Sequence, residues 1–196
     1  GPKTTKLLYE KLKIKNIEDL EKAIAKNKLQ GIFGIKEKTI QKLNADATVT
    51  GIIIQYPIYK TWNFDELVAK IDPKKDVDGF LKDSPFRSAT ALGIWEMLTA
   101  FAFHEGFSKT EDFLRNKKIV VLGRGRTAGR PARELLESKG FLVAVVVSDT
   151  KNPQDIIRSG DVVISATGVK NIVNKSNLKK GAFVVGVGVG KEVVDD

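Results

Sequence analysis

The segment from Ile119 to Gly140 has the sequence "IVVLGRGRTAGRPARELLESKG". It reads as an apolar strand, then a glycine-rich turn, then an amphipathic helix. Glycines let a backbone turn tightly and approach a ligand closely, and a helix N-terminus offers free N–H groups to a phosphate. This order predicts a nucleotide site at Gly123, Gly125 and Gly129. The spacing G-x-G-x-x-x-G is one residue longer than the common fingerprint, so a purely structural turn is the alternative.

The residues that follow alternate between strands and helices. "FLVAVVVS", "DVVISATG" and "GAFVVGVGV" are continuous apolar runs, and "NPQDIIRSG" between two of them reads as a short helix. Runs of this kind are typical of a parallel sheet that is buried on both faces. The predicted fold class is therefore α/β, with a Rossmann-like parallel sheet and helices on both faces.

The second strand of such a unit usually decides which nucleotide binds. An acidic residue at its end favours a free ribose 2′-hydroxyl, whereas a hydroxyl or basic residue favours a 2′-phosphate. In "VVVSDTKN", Ser148 favours NADP and Asp149 favours NAD, so both cofactors stay open. Arg124, Arg126 and Arg130 add positive charge where phosphates would lie, although solvated arginines would look the same.

Composition excludes several kinds of chemistry. The 196 residues contain no cysteine, which rules out disulfides, thiolate nucleophiles and cysteine-ligated zinc. The only histidine, His104, falls near the end of a predicted helix, where a surface role is more common than a catalytic one, and no metal site is predicted. No run approaches the roughly 20 apolar residues of a membrane span, and no signal peptide is visible, so we expect a cytoplasmic protein without membrane contact.

The first 45 residues are rich in lysine and predicted to be helical. Their 11 lysines outweigh five acidic residues, which gives this segment +6 of the total charge of +9. Such an asymmetry suggests a nucleic-acid contact, and a solvated helical surface is the alternative. The predicted helices are "TKLLYEKLKI", "NIEDLEKAIAKNKL" with Asn16 as its N-cap, and "KEKTIQKLNA".

The middle of the chain carries a short strand and two helices. "VTGIIIQYPIY" is predicted as a buried strand, "NFDELVAKI" as a helix and "DPKKDVDGF" as a loop. "TALGIWEMLTAFAFHEGF" is predicted as a long helix. Its expected buried face comprises Leu92, Trp95, Leu98, Thr99 and Ala102.

Taken in order, six segments between about residues 42 and 190 resemble the bifunctional methylenetetrahydrofolate dehydrogenase/cyclohydrolase family. They are "LNADATVTGIIIQYPIY", "IDPKKDVDGF", "SPFRSATALGIWEML", "KKIVVLGRGRTAGRPARELL", "SGDVVISATG" and "GAFVVGVGV". The family interconverts methylene-, methenyl- and formyl-tetrahydrofolate with NADP(H) or, in some members, NAD. The resemblance implies a tetrahydrofolate substrate, an NADP cofactor with NAD as the alternative, and a homodimer.

The resemblance also implies roles for individual residues. Gln55 matches an active-site glutamine, and Asp78 matches the carboxylate that holds the pterin ring. The family's catalytic lysine lies in a Tyr-x-x-x-Lys helix, and Tyr9 and Lys13 repeat that spacing, although such pairs are common in lysine-rich helices. The implied cofactor-binding residues are Gly123, Arg124, Gly125, Gly129, Ser148, Thr167 and Gly168.

The chain departs from the family at several positions. Ser88, Ala89 and Ala91 replace the two prolines and the cysteine of "P-C-T-P", and Gly186 replaces an aspartate. The family's N-terminal helix and first strand are not recognisable, and the chain ends before its C-terminal "P-V-P-G-G-V-G-P-x-T" loop. These departures lead us to expect weak or absent turnover.

The N-terminal segment resembles the helix-hairpin-helix region of family X DNA polymerases. "GPKTTKLL" is similar to half of one hairpin and "GIFGIKEKT" to a whole one, with a scaffold of plain turns as the alternative. This resemblance implies non-specific DNA contacts through Gly31, Gly34, Lys36 and Lys38.

Three domains and three hypotheses follow. The domains are a helix-hairpin-helix-like segment (1–45), a remnant of a folate-binding lobe (46–105) and a truncated NAD(P)-binding domain (106–196). The first hypothesis is an NADP-dependent methylenetetrahydrofolate dehydrogenase with cyclohydrolase activity. The others are a non-catalytic module that binds DNA or retains only nucleotide affinity, and a chimera of the two families.

Overall fold

The computed structural model describes residues 2–25, 37–58, 60, 62–188 and 193. The lysine-rich start forms three helices, as predicted: α1 (Pro2–Leu12), α2 (Ile17–Ala25) and α3 (Glu37–Ala45). Asn16 is the predicted N-cap of α2, since its Oδ1 accepts a hydrogen bond of 2.8 Å from the backbone N–H of Asp19.

An N-terminal lobe, from α3 to Leu81, has a small apolar core of its own. It is formed by Ile40 of α3, by Ile52 and Ile54, by the helix α4 (Phe64–Val68) and by Ile71. The predicted strand around Ile52 is wrong in its extent, because within the described part of the chain this segment makes one isolated bridge, to Asp76. The segment that contains Asp76 follows a 3₁₀ helix (Pro73–Lys75) and continues into a turn, so the bridge cannot extend into a ladder of strand hydrogen bonds.

A long helix, α5 (Ala89–His104), leads into the second lobe, and a short helix, α6 (Thr110–Leu114), follows it. The predicted buried face of α5 is only partly right. Leu98 and Ala102 are buried, but Leu92 is 44 % exposed and Ala91 and Ile94 are buried instead. Apolar residues occur nearly all round this helix, so their spacing does not select one face.

The sheet lobe, from α5 to Gly188, contains the predicted parallel sheet. The elements in chain order are β1 (Ile119–Leu122), α7 (Gly129–Ser138), β2 (Val143–Val146), α8 (Pro153–Ser159), β3 (Val162–Ser165) and β4 (Phe183–Gly186). The four strands are parallel and lie in the order β2-β1-β3-β4. A second 3₁₀ helix (Lys175–Asn177) lies between β3 and β4.

Helices cover both faces of this sheet, which confirms the predicted fold class. Ile119 and Val121 of β1 pack against α5, α6 and α7, whereas Val120 and Leu122 pack against α8 and residues 172–178. This alternation explains why all four residues of β1 are apolar. Within the described ranges, no helix has the length and apolar character needed to cross a membrane.

Candidate functional site

The glycine turn joins β1 to α7, and two of its positions accept only glycine. Gly123 has a backbone φ of +96°, a conformation that residues with a side chain rarely adopt. A Cβ atom at Gly129 would collide with the carbonyl oxygen of Gly123, so the helix begins directly against the turn. Gly125, by contrast, faces open space, which leaves its backbone accessible to a ligand.

This turn lies at the point where the order of the strands reverses. The chain runs from β1 to β2 on one side and then to β3 on the other side of β1. In open α/β sheets, ligands bind outside the carboxyl ends of the strands at such a point. Thr167 and Gly168 follow β3 at this edge, and a Cβ atom at Gly123 would lie 2.6 Å from the carbonyl oxygen of Ala166.

The three arginines of the turn have different surroundings. Arg126 pairs with Asp65 of α4, and Arg130 pairs with Glu134 one turn along α7 at 2.7 Å. The hydrogen bond that Arg130 donates to Glu134, and then the charge of Glu134, raise the pKa of Arg130. Arg124 is exposed and has no ion-pair partner within the described ranges.

The end of β2 forms a tight turn that exposes both Ser148 and Asp149. The backbone N–H of Thr150 donates to the carbonyl of Val147 at 3.0 Å, and the N–H of Val147 donates to the Thr150 hydroxyl at 2.8 Å. This turn leaves both side chains at the carboxyl edge of the sheet. The two hydrogen bonds between Val147 and Thr150 are compatible with either NADP or NAD.

In the N-terminal lobe, a parallel bridge between Ile52 and Asp76 joins the two segments that carry Gln55 and Asp78. Gln55 lies three residues after the bridge on one segment, and Asp78 lies two residues after it on the other, in a turn. Gln55 is exposed, and its Nε2 donates to the carbonyl of Tyr56 at 3.1 Å.

Asp76 organises the loop that carries Asp78. Its buried carboxylate accepts the N–H of Leu81 at 2.7 Å, and its backbone carbonyl accepts the hydroxyl of Ser84 at 2.7 Å. Burial, and then the charge of Asp76, raise the pKa of Asp78. The other carboxylate oxygen of Asp76, Oδ1, is buried without a hydrogen-bond partner.

The two lobes meet where Arg126 reaches α4. A cleft of about 270 Å³ opens at this contact, lined by parts of α4, the loop after Asp78 and the start of α7. Among the described residues, no group of three or more histidine, cysteine or acidic side chains could hold a metal ion.

Tyr9 and Lys13 do not share a helix, which corrects that prediction. Helix α1 ends at Leu12, and Lys13 adopts a left-handed conformation with φ 57°. Both side chains are exposed, with the ammonium nitrogen of Lys13 5.9 Å from the centroid of the Tyr9 ring. Within the described part of the chain, no hydrogen bond or ion pair joins either one to Gln55 or Asp78.

The DNA-binding residues predicted for the hairpin lie largely outside the described residues. This applies to Gly31, Gly34 and Lys36. Lys38 lies in α3, and its side chain is not described. DNA binding therefore stays a prediction.

Two family models match the chain. Residues 88–195 match "Tetrahydrofolate dehydrogenase/cyclohydrolase, NAD(P)-binding domain", and residues 1–78 match the catalytic domain of the same family. The chain belongs to the tetrahydrofolate dehydrogenase/cyclohydrolase family. Because the catalytic-domain match begins at residue 1, it includes the lysine-rich helices, and the helix-hairpin-helix resemblance gains no support from it.

Known members of the tetrahydrofolate dehydrogenase/cyclohydrolase family cover most of the chain. The bifunctional protein FolD of Staphylococcus epidermidis is 35 % identical over 158 residues, which is 76 % of this chain and 52 % of that protein. The FolD structure from Campylobacter jejuni has a TM-score of 0.68 at 30 % identity, covering 79 % of this chain and 55 % of that one. The FolD of Trypanosoma brucei, solved with NADP and an inhibitor, has a TM-score of 0.64 at 30 % identity, with 78 % and 52 % covered. The chain thus spans about half the length of these relatives.

Some residues of the site carry no signal in the sequence. Asp65 and Phe64 form the contact with Arg126, yet they lie 61 and 62 residues away from it. Nothing in "NFDELV" distinguishes them from an ordinary helix start. Asp76 is the exception, because its place in "DVDG" beside Asp78 already marks that loop.

Proposed function

We propose that the chain is an NADP-dependent methylenetetrahydrofolate dehydrogenase with methenyltetrahydrofolate cyclohydrolase activity. The observation that carries this proposal is the bridge between Ile52 and Asp76, which joins the two segments that carry Gln55 and Asp78. The match of residues 1–78 to the catalytic domain of the family supports a tetrahydrofolate substrate for this lobe.

The glycine turn fits a dinucleotide. The collision that a side chain at Gly129 would cause shows that this turn needs bare backbone, and the open space at Gly125 lets a phosphate approach. Arg124 is the arginine left to meet a 2′-phosphate, Ser148 follows the neighbouring strand β2, and Thr167 and Gly168 follow β3 at the same edge of the sheet. NADP⁺, when bound, supplies the hydride acceptor.

Asp78 and Gln55 orient the substrate. A carboxylate can accept two hydrogen bonds, from the exocyclic amino group and a ring N–H of a pterin. The amide of Gln55 can accept and donate in turn, because its present bond is only to the neighbouring carbonyl of Tyr56. The chain's own residues therefore bind and orient the folate, so that its methylene carbon faces the cofactor.

The cyclohydrolase part of the proposal depends on Lys13. Its side chain is exposed, with the ammonium nitrogen 5.9 Å from the centroid of the Tyr9 ring, so it would have to reorient to meet a bound folate. Replacing Lys13 with Met should abolish hydrolysis of methenyltetrahydrofolate while methylenetetrahydrofolate oxidation persists. Equal hydrolysis by both proteins would exclude Lys13 from this step.

The direct test is NADPH formation from methylenetetrahydrofolate, followed by absorbance. We expect slow turnover that requires NADP⁺ and that falls at least about tenfold in Gln55→Ala and Asp78→Asn. The matched control is Glu137→Gln, which removes an ion pair with Arg133 within α7 and leaves Gln55 and Asp78 unchanged. A wild-type protein that binds NADP⁺ and folate without forming NADPH would refute the dehydrogenase.

The division into residues 1–45, 46–105 and 106–196 is also a proposal, although Ile40 of α3 lies in the core of the N-terminal lobe and Leu98 of α5 in that of the sheet lobe. Early proteolytic cuts near residues 45 and 105 would support this division, whereas a first cut between residues 81 and 88 would favour the two lobes. We also propose a homodimer, for which sedimentation should give twice the mass of one chain.

The charge of +6 on the first 45 residues favours DNA binding as a second candidate function. Such binding should weaken steeply between low and moderate salt. It should also weaken in a Lys36→Gln, Lys38→Gln variant. Binding that ignores salt, or no binding, would exclude it.

A further inference from the structure

One side chain of the glycine turn ties the two lobes together. The Nε and Nη2 atoms of Arg126 donate to the two carboxylate oxygens of Asp65, at 3.2 and 2.5 Å. Two parallel bonds of this kind fix an angle as well as a distance. Asp65 belongs to α4 of the N-terminal lobe, so the pair connects two units that have separate apolar cores.

The residue before Asp65 extends this tie to the substrate side. The ring of Phe64 meets the rings of Tyr56 and Phe80 edge-on, with 5.1 Å between centroids in each case. The guanidinium carbon of Arg126 lies 5.7 Å from the centroid of Phe64. Tyr56 directly follows Gln55, and Phe80 lies two residues after Asp78. One aromatic ring therefore contacts both site-bearing segments and the glycine turn.

We propose that Asp65, Phe64 and Arg126 form a positioning unit that sets the glycine turn against Gln55 and Asp78. This inference rests on the proposed dehydrogenase function. Hydride transfer needs reacting atoms about 3–3.5 Å apart, and a misplacement of about 1 Å can cost roughly 100-fold in rate. A tie between the lobe that orients the folate and the turn that holds the cofactor acts on this distance.

The ion pairs of the two arginines predict different effects on turnover and on cofactor affinity. Asp65 holds Arg126, and Glu134 holds Arg130. Loss of the Asp65 carboxylate releases Arg126 as a free cation beside the site of the cofactor phosphates. NADP⁺ binding should then stay equal or become tighter while turnover falls. A residue that merely supports the fold would lose both together.

The experiment compares Asp65→Asn, Arg126→Gln and the double variant with wild type. We expect kcat to fall at least about tenfold in each single variant and no further in the double variant, because both remove the same contact. Asp65→Glu, which keeps the carboxylate, should recover part of the rate. The cap of α4 survives these changes, since Asn63 accepts the backbone N–H groups of residues 65 and 66. The Kd for NADP⁺ in Asp65→Asn, from calorimetry, should equal the wild-type value or lie below it.

The matched control is Glu137→Gln. Glu137 pairs with Arg133 at 3.4 Å, and both lie in α7, so this pair does not cross between the lobes. Its kcat should match that of the wild type. An equal fall of kcat in the control, or a parallel loss of NADP⁺ affinity in Asp65→Asn, would overturn the positioning role.

Hydrogen exchange of the amides of residues 123–130 tests the tie without any ligand. Exchange there should become faster in Asp65→Asn and stay unchanged in Glu137→Gln. Unchanged exchange in Asp65→Asn overturns the tie even if the wild type proves inactive. Faster exchange with an unchanged kcat overturns the positioning role. Faster exchange in a chain whose wild type forms no NADPH supports the tie and refutes only the dehydrogenase.

Discussion

Gly129 and Gly123 meet backbone to backbone: a Cβ atom at Gly129 would collide with the carbonyl oxygen of Gly123. The first turn of α7 therefore packs against the end of β1 with no side chain between them. This contact sets the direction in which the helix N-terminus faces the carboxyl edge of the sheet. Gly129 therefore has the role that the third glycine has in the common fingerprint, which is close packing of the helix against the strand.

Replacement of Gly129 with Ala should force α7 away from the turn. We expect a loss of about 1–3 kcal/mol in the free energy of unfolding, as for other overpacked sites, together with weaker NADP⁺ binding. Gly125→Ala is the matched variant, because a methyl group there meets open space. It should keep the stability and lose only affinity. Urea unfolding and calorimetry distinguish the two, and equal stability of both variants would contradict the packing role of Gly129.

Lys75 stabilises the C-terminal end of α3. Its ammonium group donates to the carbonyls of Leu43, Asn44 and Asp46 at 2.7–2.8 Å, and the first two belong to the last turn of α3, where the carbonyls have no partner within the helix. Lys75→Met should lower the free energy of unfolding by roughly 1–3 kcal/mol. The exposed neighbour Lys74 is the control, and Lys74→Met should change the stability little. Similar urea midpoints for the two variants would contradict this role.

Asp161 should make stability depend on acid pH. Its carboxylate accepts bonds from the ammonium group of Lys179 and from the backbone N–H of Lys118, and both lower its pKa. A group with a lowered pKa contributes stability above its ordinary value of about 4, and this contribution is lost as the pH falls through the lowered pKa. Asp161→Asn should therefore lower the free energy of unfolding at pH 7. It should also reduce the loss of stability on acidification, which is the acid limb of the curve of stability against pH. Asp83→Asn, at an exposed position, should preserve that limb, and identical acid limbs for all three proteins would argue against the Asp161 contacts.

Asp78 should give folate binding a different pH dependence. Burial and the charge of Asp76 raise its pKa, so the carboxylate that accepts bonds from the pterin is lost at a higher pH than an ordinary carboxyl would be. Folate affinity in the wild type should fall as the pH drops through this raised pKa. Asp78→Asn should bind weakly without that step, and calorimetry across the pH range measures both. A wild-type affinity that is constant down to about pH 4, the ordinary range of a carboxyl, would contradict the assignment.

The sheet lobe could be predicted from the sequence because its signals are local. Continuous apolar strands, a glycine turn and helices between the strands agree with one another, and the four strands and both connecting helices appear where expected. The buried face of α5 was predicted only in part, because Leu92 and Ala91 are both apolar and spacing cannot choose between them. The left-handed Lys13 was missed because lysine normally continues a helix.

The contact between the lobes could not be predicted at all. Asp65 and Arg126 are ordinary charged residues in segments that are 61 residues apart, and only the folded chain brings them together. Gln55 and Asp78 were predicted from the resemblance, but the bridge between Ile52 and Asp76, which joins their two segments, could not be predicted from any periodicity in the sequence.

The dehydrogenase activity itself is tested by the transfer of label from methylenetetrahydrofolate deuterated at its methylene carbon. Mass spectrometry of the NADPH formed with the wild-type protein detects even slow turnover. We predict NADPH that is one mass unit heavier, and at least about tenfold less of it with Asp78→Asn. Unlabelled NADPH, or none from a protein that binds both ligands, would contradict the proposed function.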